Sequence, residues 1–264
     1  MIRLAANISF MFPELPFLDR IDAAARAGFA TIEFAWGYDI PLPRLVARCR
    51  DAGVAFSLIN TPPGYTSAGD FGLGAVPGRE AEMREGIELA LLYAEALSVP
   101  RIHVVAGNVP PGIDRALMRK TYIANLKWAE KRAAERGIGL LIEPLNSRDR
   151  PNFFLQNCAQ AIDIIEEVNR PGLKLQLDFY HYWLIEGDPF DRLADLLPWA
   201  GHIQISGVPN RQEPDETSEL DYGRLLPELD RLGYQGFIGC EYAPRGDTVA
   251  GLGWAKEYLC QSGE

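Results

Sequence analysis

The sequence predicts an α/β fold, a single (β/α)8 TIM barrel spanning residues 1–264. Three observations point there. Eight short strand-like apolar runs alternate with amphipathic stretches, and no Pro/Ser-rich linker interrupts them. A chain of 264 residues that is 47% hydrophobic can bury one large core, and barrels of this type commonly reach that length as one domain. Neither GxGxxG nor GxxxxGK[ST] follows any strand, so no nucleotide is expected and an open doubly wound sheet fits less well.

In chain order, the run at 4–10 (LAANISF) precedes an amphipathic stretch at 17–28, and TIEF at 31–34 precedes one at 43–53. The run at 55–60 leads through a long connection to a stretch at 79–97, and the run at 102–106 leads to one at 115–137. Runs at 139–143, 173–178, 202–206 and 237–241 complete the eight. In ARAGF, RDAGV, AERGIG and DRLGYQG a glycine stands where a helix stops before the next strand. The connections at 61–78 and 207–221 are longer than usual and follow strand C-termini, the face on which barrel enzymes build their sites. Both are expected to cover a substrate.

Net charge is −10, and no Lys/Arg cluster offers the phosphate contacts that nucleic-acid binding needs. The start, MIRLAANISFMF, lacks the charged region and long apolar core of a signal peptide, and no run is long enough to span a bilayer. Cys49, Cys158, Cys240 and Cys260 show no CxxC spacing and imply no disulfide framework. A cytoplasmic protein that binds neither nucleic acid nor membrane is expected. Trp183 and Trp199 are read as exposed aromatics, a weak pointer to a homo-oligomer.

Four apolar runs end in, or just before, an oxygen-bearing side chain: LLIE at Glu143, LQLD at Asp178, HIQI at Gln204 and IGCE at Glu241. The steps between them are 35, 26 and 37 residues, each about one strand-plus-helix unit. On neighbouring parallel strands the four side chains emerge at one edge of the barrel. Three carboxylates and an amide gathered there repel one another unless a cation lies between them. Their oxygens suit Mg²⁺ or Mn²⁺, whereas three histidines in the whole chain are too few for a multi-zinc centre. The plainer readings are rim salt bridges for Glu143 and Glu241, a helix N-cap for Asp178 and a backbone-bonded amide for Gln204.

His181 and Arg211 follow these strands and are expected to hold substrate, the first by hydrogen bonding and the second by a fork onto a carboxylate. A packed histidine and a solvated loop charge are their plainer readings. His103 is a candidate to face the lumen, and His202 is expected to be structural. Cys240 alternates to the face opposite Glu241 and reads as a packed thiol. Two carboxylates beside a metal-held hydroxy-carbonyl compound suggest isomerisation: one removes a C–H proton, an enediolate forms, and the other returns a proton to the next carbon.

Longer segments resemble the hydroxypyruvate isomerase family of the xylose-isomerase-like superfamily. They are AANISFMFPELPFLDRIDAAARAGFATIEF, VPGRE, LLIEPLNSRD, LKLQLDFYH, GHIQISGVPNRQEP and RLGYQGFIGCEYAPRGDTVAGLGW. The resemblance implies interconversion of hydroxypyruvate and 2-hydroxy-3-oxopropanoate (tartronate semialdehyde) without nucleotide. It implies that Glu143 and Glu241 are the catalytic proton donor and acceptor, and that they ligate a divalent metal together with Asp178 and Gln204. It also places His181 and Arg211 on substrate oxygens. The stretches TPPGYTSAGD and PDETSELDY depart from the family pattern, so the resemblance fixes the reaction class more firmly than the substrate. A 2-oxotetronate isomerase and a ketose 3-epimerase are the alternative activities. A DNA-repair phosphodiesterase fits the acidic charge poorly, and a barrel without catalysis has no evident reason to keep a buried carboxylate cluster.

Overall fold

The computed structural model describes residues 1–259. Its strands are β1 (Leu4–Asn7), β2 (Thr31–Phe34), β3 (Ala55–Asn60), β4 (Arg101–His103), β5 (Gly139–Ile142), β6 (Leu173–Asp178), β7 (Ala200–Ile205) and β8 (Ile238–Cys240). All pair in parallel in sequence order, and β8 closes on β1 through Leu4 opposite Ile238. Helices α1 (Phe17–Arg26), α2 (Leu42–Ala52), α3 (Glu80–Leu97), α4 (Arg115–Ala134) and α5 (Cys158–Val168) pack side by side in order outside the barrel. After them come α6 (Phe179–Glu186), α7 (Leu193–Leu196) and α8 (Tyr222–Arg231).

Capping and glycine chemistry set the helix ends. Asp114, Asn157, Asp178 and Asp221 accept backbone N–H bonds at the starts of α4, α5, α6 and α8. The four glycines read as helix stops, Gly28, Gly53, Gly137 and Gly233, all take positive φ, which a side chain disfavours. Strand bounds differ slightly from expectation. β1 ends at Asn7 because the amides of Phe10 and Met11 turn back onto its carbonyl. β4 is only Arg101–His103, although Val104 N–H still bonds the Leu141 carbonyl.

Strand alternation decides what faces the barrel axis. On β6, Gln176 and Asp178 lie two residues apart, opposite His202 and Gln204 on β7. On β8, Gly239 lies opposite Gln204. A Cβ at Gly239 would stand 2.3 Å from Glu33 Oε1, so the missing side chain makes room for a carboxylate inside the barrel. Leucine, isoleucine and valine side chains fill the layer between strands and helices, and Cys240 is packed there, away from Glu241.

Cys49, Cys158 and Cys240 are buried free thiols, and Cys260 lies outside the described residues. Trp183 and Trp199 are not exposed: both are half-buried against the core, and Trp183 donates its indole N–H to Glu219. They give no support to a homo-oligomer. Among the described residues, no helix is long and apolar enough to cross a membrane.

Candidate active site

The four strand-end residues emerge together at the C-terminal mouth of the barrel. Glu143 directly follows β5, Asp178 ends β6, Gln204 is the penultimate residue of β7 and Glu241 directly follows β8. Asp178 does two things at once. Its Oδ1 accepts the Tyr180 N–H at 2.8 Å, capping α6, while its buried Oδ2 has no hydrogen-bond partner. Glu143 is similarly divided: Oε2 accepts from Gln176 Nε2 at 2.9 Å, and the buried Oε1 is unpartnered.

Gln176 and Glu33 organise the floor beneath these groups. Gln176 Nε2 also donates to Gln204 Oε1 at 2.6 Å, so one amide links Glu143 to Gln204. Glu33 on β2 is fully buried and accepts from Gln204 Nε2 at 2.7 Å, Asn7 Nδ2 at 3.1 Å and the Ser57 hydroxyl at 3.2 Å. His202 Nε2 lies 2.7 Å from Glu33 Oε2, the oxygen that Ser57 also meets. This carboxylate therefore fixes the Gln204 amide, and His202 is structural as expected. Asn7 also donates to Glu241 Oε2 at 3.3 Å.

His181 has an assignable tautomer. Its Nδ1 accepts the Asn146 backbone N–H at 3.1 Å and lies 2.7 Å from the Asn146 side-chain amide, so Nε2 carries the proton. That N–H sits 3.8 Å from Asp178 Oδ2, too far for a direct bond but close enough to donate to an oxygen placed between them. Arg211, held at a positive φ of 56° beside the bridge between Gly207 and Gln212, reaches Glu241 Oε1 at 2.6 Å and Asp178 Oδ2 at 3.6 Å. Its guanidinium lies 5.0 Å from the ring centre of Phe10 and 5.1 Å from that of Tyr180.

Burial and crowded negative charge give the acids a high proton affinity. Burial, then Glu241 and Asp178, pushes Glu143 well above the usual carboxylate range. Burial raises Glu241 to about 8 against the pull of Arg211, and burial also raises Asp178. Burial pushes His103 down to about 3 and His181 well below its usual value, so both rings are neutral at pH 7.

A divalent cation fits this donor set. The ligand atoms of Glu143, Asp178 and His181 lie within 4.8 Å of one another, and two carboxylate oxygens there are buried without partners. The tautomer of His181 leaves its site-facing nitrogen a donor, so the two acids and the Gln204 carbonyl are the better ligands. Glu241 is not in the group of Glu143, Asp178 and His181, and its Oε1 is held by Arg211 at 2.6 Å. An oxygen set of this kind suits Mg²⁺ or Mn²⁺.

A cavity of about 320 Å³ opens over these groups, lined in part by Glu143, Glu241, His103, His181 and Arg211. Of the sequence-predicted residues, Asp178 and Gln204 are buried and do not line it. A model of the xylose isomerase-like TIM barrel family matches residues 21–258. The chain belongs to that family. A 2-oxo-tetronate isomerase of Cupriavidus necator is 48% identical, over 98% of this chain and 99% of the relative. The hydroxypyruvate isomerase of Escherichia coli is 36% identical, over 98% and 100%. A crystal structure described as an AP endonuclease of family 2 from Brucella melitensis superposes with a TM-score of 0.95. It is 40% identical and covers 98% of this chain and 100% of that one. D-psicose 3-epimerase of Clostridium cellulolyticum H10 superposes at 0.75 with 17% identity, over 98% and 99%, which shows the fold alone. This xylose isomerase-like chain is an isomerase, as the relatives of that class at 36–48% identity show.

Several residues of the xylose isomerase-like site escape the sequence reading. Glu33 and Gln176 sit inside strand runs rather than at their ends, yet a charge at the third residue of TIEF marks an inward carboxylate by alternation. His103, open in the sequence, faces the lumen with Nδ1 3.4 Å from Glu143 Oε2. Arg20 and Arg150 line the cavity and resemble solvated loop and helix charges in the sequence. The long connection at 61–78 contributes Phe71 to the wall.

Proposed function

We propose that the protein is a divalent-metal-dependent isomerase of small hydroxy-oxo acids, interconverting hydroxypyruvate and 2-hydroxy-3-oxopropanoate. One observation carries the reading: two glutamates with raised proton affinity, the buried Glu143 and the half-buried Glu241, line one cavity close to the orphaned oxygen of Asp178. A general acid–base pair works best when its members exchange protons near the working pH; burial raises Glu241 to about 8 and moves Glu143 in the same direction. A bound cation would polarise the substrate carbonyl and the neighbouring hydroxyl, making the C–H between them acidic.

The chain's own groups do the rest. One glutamate, as carboxylate, takes a proton from C3 of hydroxypyruvate, and the other, as carboxylic acid, gives one to C2. The C3 hydroxyl loses its proton as the C2 oxygen gains one, so the product is the aldehyde isomer with no net redox change. His181 Nε2–H donates to a substrate oxygen above Asp178, and Phe10 and Tyr180 keep Arg211 against Glu241. We propose no nucleotide and no nucleic-acid partner, given a net charge of −10.

A four-carbon 2-oxotetronate is the second reading. The cavity of about 320 Å³ exceeds what three carbons need, and the 48% identical relative carries that activity in its name.

The test is a coupled assay of purified protein with hydroxypyruvate, detecting tartronate semialdehyde by its NADH-dependent reductase. Turnover that EDTA stops and Mg²⁺ or Mn²⁺ restores is the expected result. Turnover of a 2-oxotetronate but not of hydroxypyruvate moves the assignment to the four-carbon acid. Turnover indifferent to EDTA contradicts the metal.

A further inference from the structure

Arg211 is the obvious cation to meet an acid substrate, but its charge is already met. Glu241 lies 2.6 Å from its Nη2 and Asp178 3.6 Å. The cavity has two other guanidiniums, Arg20 and Arg150, and neither makes an ion-pair contact with a carboxylate among the described residues, although Asp149 acts on Arg150 from further off.

Arg150 is the better placed. It follows the turn after β5, and its backbone N–H bonds the Asn146 carbonyl at 3.0 Å. Asn146 is also the residue that orients His181, so the turn that fixes the imidazole fixes the base of this arginine. Its Cζ stacks 3.9 Å from the centre of the Phe71 ring. A ring holds a guanidinium in place without using its N–H donors, leaving the fork free for a planar anion. The adjacent acid, Asp149, is occupied by the Tyr180 hydroxyl at 2.7 Å and the Asn146 amide at 3.1 Å. Burial and the charge of Arg211 hold the Arg150 guanidinium below its usual value, against the pull of Asp149, and Arg150 in turn adds to the burial and the Arg211 charge that depress His181.

Arg20 stands nearby as a fixed charge: its Nη1 donates to the Ile8 carbonyl at 2.9 Å and its Nε to the Leu15 carbonyl at 3.0 Å. The cavity is thus lined both by the acids Glu143 and Glu241 and by two guanidiniums, Arg20 and Arg150, that make no ion pair among the described residues.

We propose that Arg150, stacked on Phe71, binds the carboxylate of the substrate and so selects small 2-oxo and 2-hydroxy acids over neutral sugars. Arg20 adds a second positive charge to the same end. The inference rests on the proposed isomerase reading for its substrate class, although carboxylate binding itself can be measured without turnover. One consequence is orientation: with the carboxylate on Arg150, the hydroxymethyl end of a three-carbon acid points down to Glu143 and Glu241.

The experiment is isothermal titration of the full-length, Mg²⁺-loaded protein with D-glycerate, an acid of the right size that does not isomerise, and with glycerol as the neutral control. Arg150→Ala is expected to weaken glycerate about tenfold or more, the loss of a charge-assisted bond, with Arg150→Lys intermediate. Circular dichroism checks that both variants are folded. In parallel kinetics, the KM for hydroxypyruvate should rise by a similar factor with a much smaller change in kcat. Wild-type affinity for glycerate in Arg150→Ala, or no preference for glycerate over glycerol in the wild type, overturns the proposal. Arg150-dependent glycerate binding in a protein that does not turn over hydroxypyruvate sustains the subsite and rejects the isomerase reading instead.

Discussion

Asp178 shows why the site residues could be read from one sequence and why the reading was incomplete. Cap and ligand looked like rival roles, and the structure leaves both open to it: Oδ1 accepts the Tyr180 amide, and Oδ2 is buried without a hydrogen-bond partner. Glu143, Gln204 and Glu241 were legible because each interrupts an apolar run at its end, where burial without a partner is unfavourable. Glu33 and Gln176 were not, because their role depends on contacts across the barrel that sequence spacing does not encode. Arg150 was hidden because its turn, SRDR, is exposed, and only the packing of its guanidinium on Phe71 ties it to the cavity. At this scale Glu143→Gln and Glu241→Gln should each lower kcat by about 10²–10⁴-fold, the usual range for losing a general base, with the circular dichroism spectrum unchanged. Near-normal steady-state turnover in either variant removes that residue from the proton path.

The elements were the most legible level. All eight strands were expected within a few residues, since alternation and glycine stops are local signals. Boundaries moved where tertiary bonds intervene, as at Asn7, whose carbonyl ends β1 by capturing two later amides. The roles of the connections were harder to see. Residues 61–78 supply Phe71 to the cavity, and residues 207–221 place Arg211 in a left-handed conformation that only the fold explains. Strand β8 carries its own requirement. Gly239→Ala would drive a methyl into Glu33, which has no room to retreat among Asn7, Ser57, His202 and Gln204. That substitution should cost about 1–3 kcal/mol, seen as a lower urea midpoint, and should weaken Mg²⁺ binding by disturbing Gln204. A variant as stable as the wild type would show that the barrel floor yields easily.

At the scale of the whole molecule, the acid cluster links stability to pH. Glu241 holds its proton up to about 8 in the folded state, and Glu143 and Asp178 are shifted the same way, whereas in the unfolded chain they ionise near ordinary values. The native state thus binds more protons than the unfolded state across this window. Metal-free protein should therefore lose stability as pH rises from about 4.5 to about 8. A divalent cation replaces the protons, so EDTA should lower the Tm more at pH 8 than at pH 5. An equal effect at both pH values would argue against metal in the acid cluster. In the proposed mechanism the hydrogen moves as a proton through exchangeable carboxyls, and isotope tracing tests this most directly. Hydroxypyruvate is converted in D₂O with Mg²⁺, the product is trapped as glycerate by its NADH-dependent reductase, and C2 is read by NMR after subtracting a reductase-only control. Two exchangeable carboxyls predict nearly complete deuterium at C2; glycerate that retains the substrate's own hydrogen there would mean a direct hydrogen shift, and would contradict the roles given to Glu143 and Glu241.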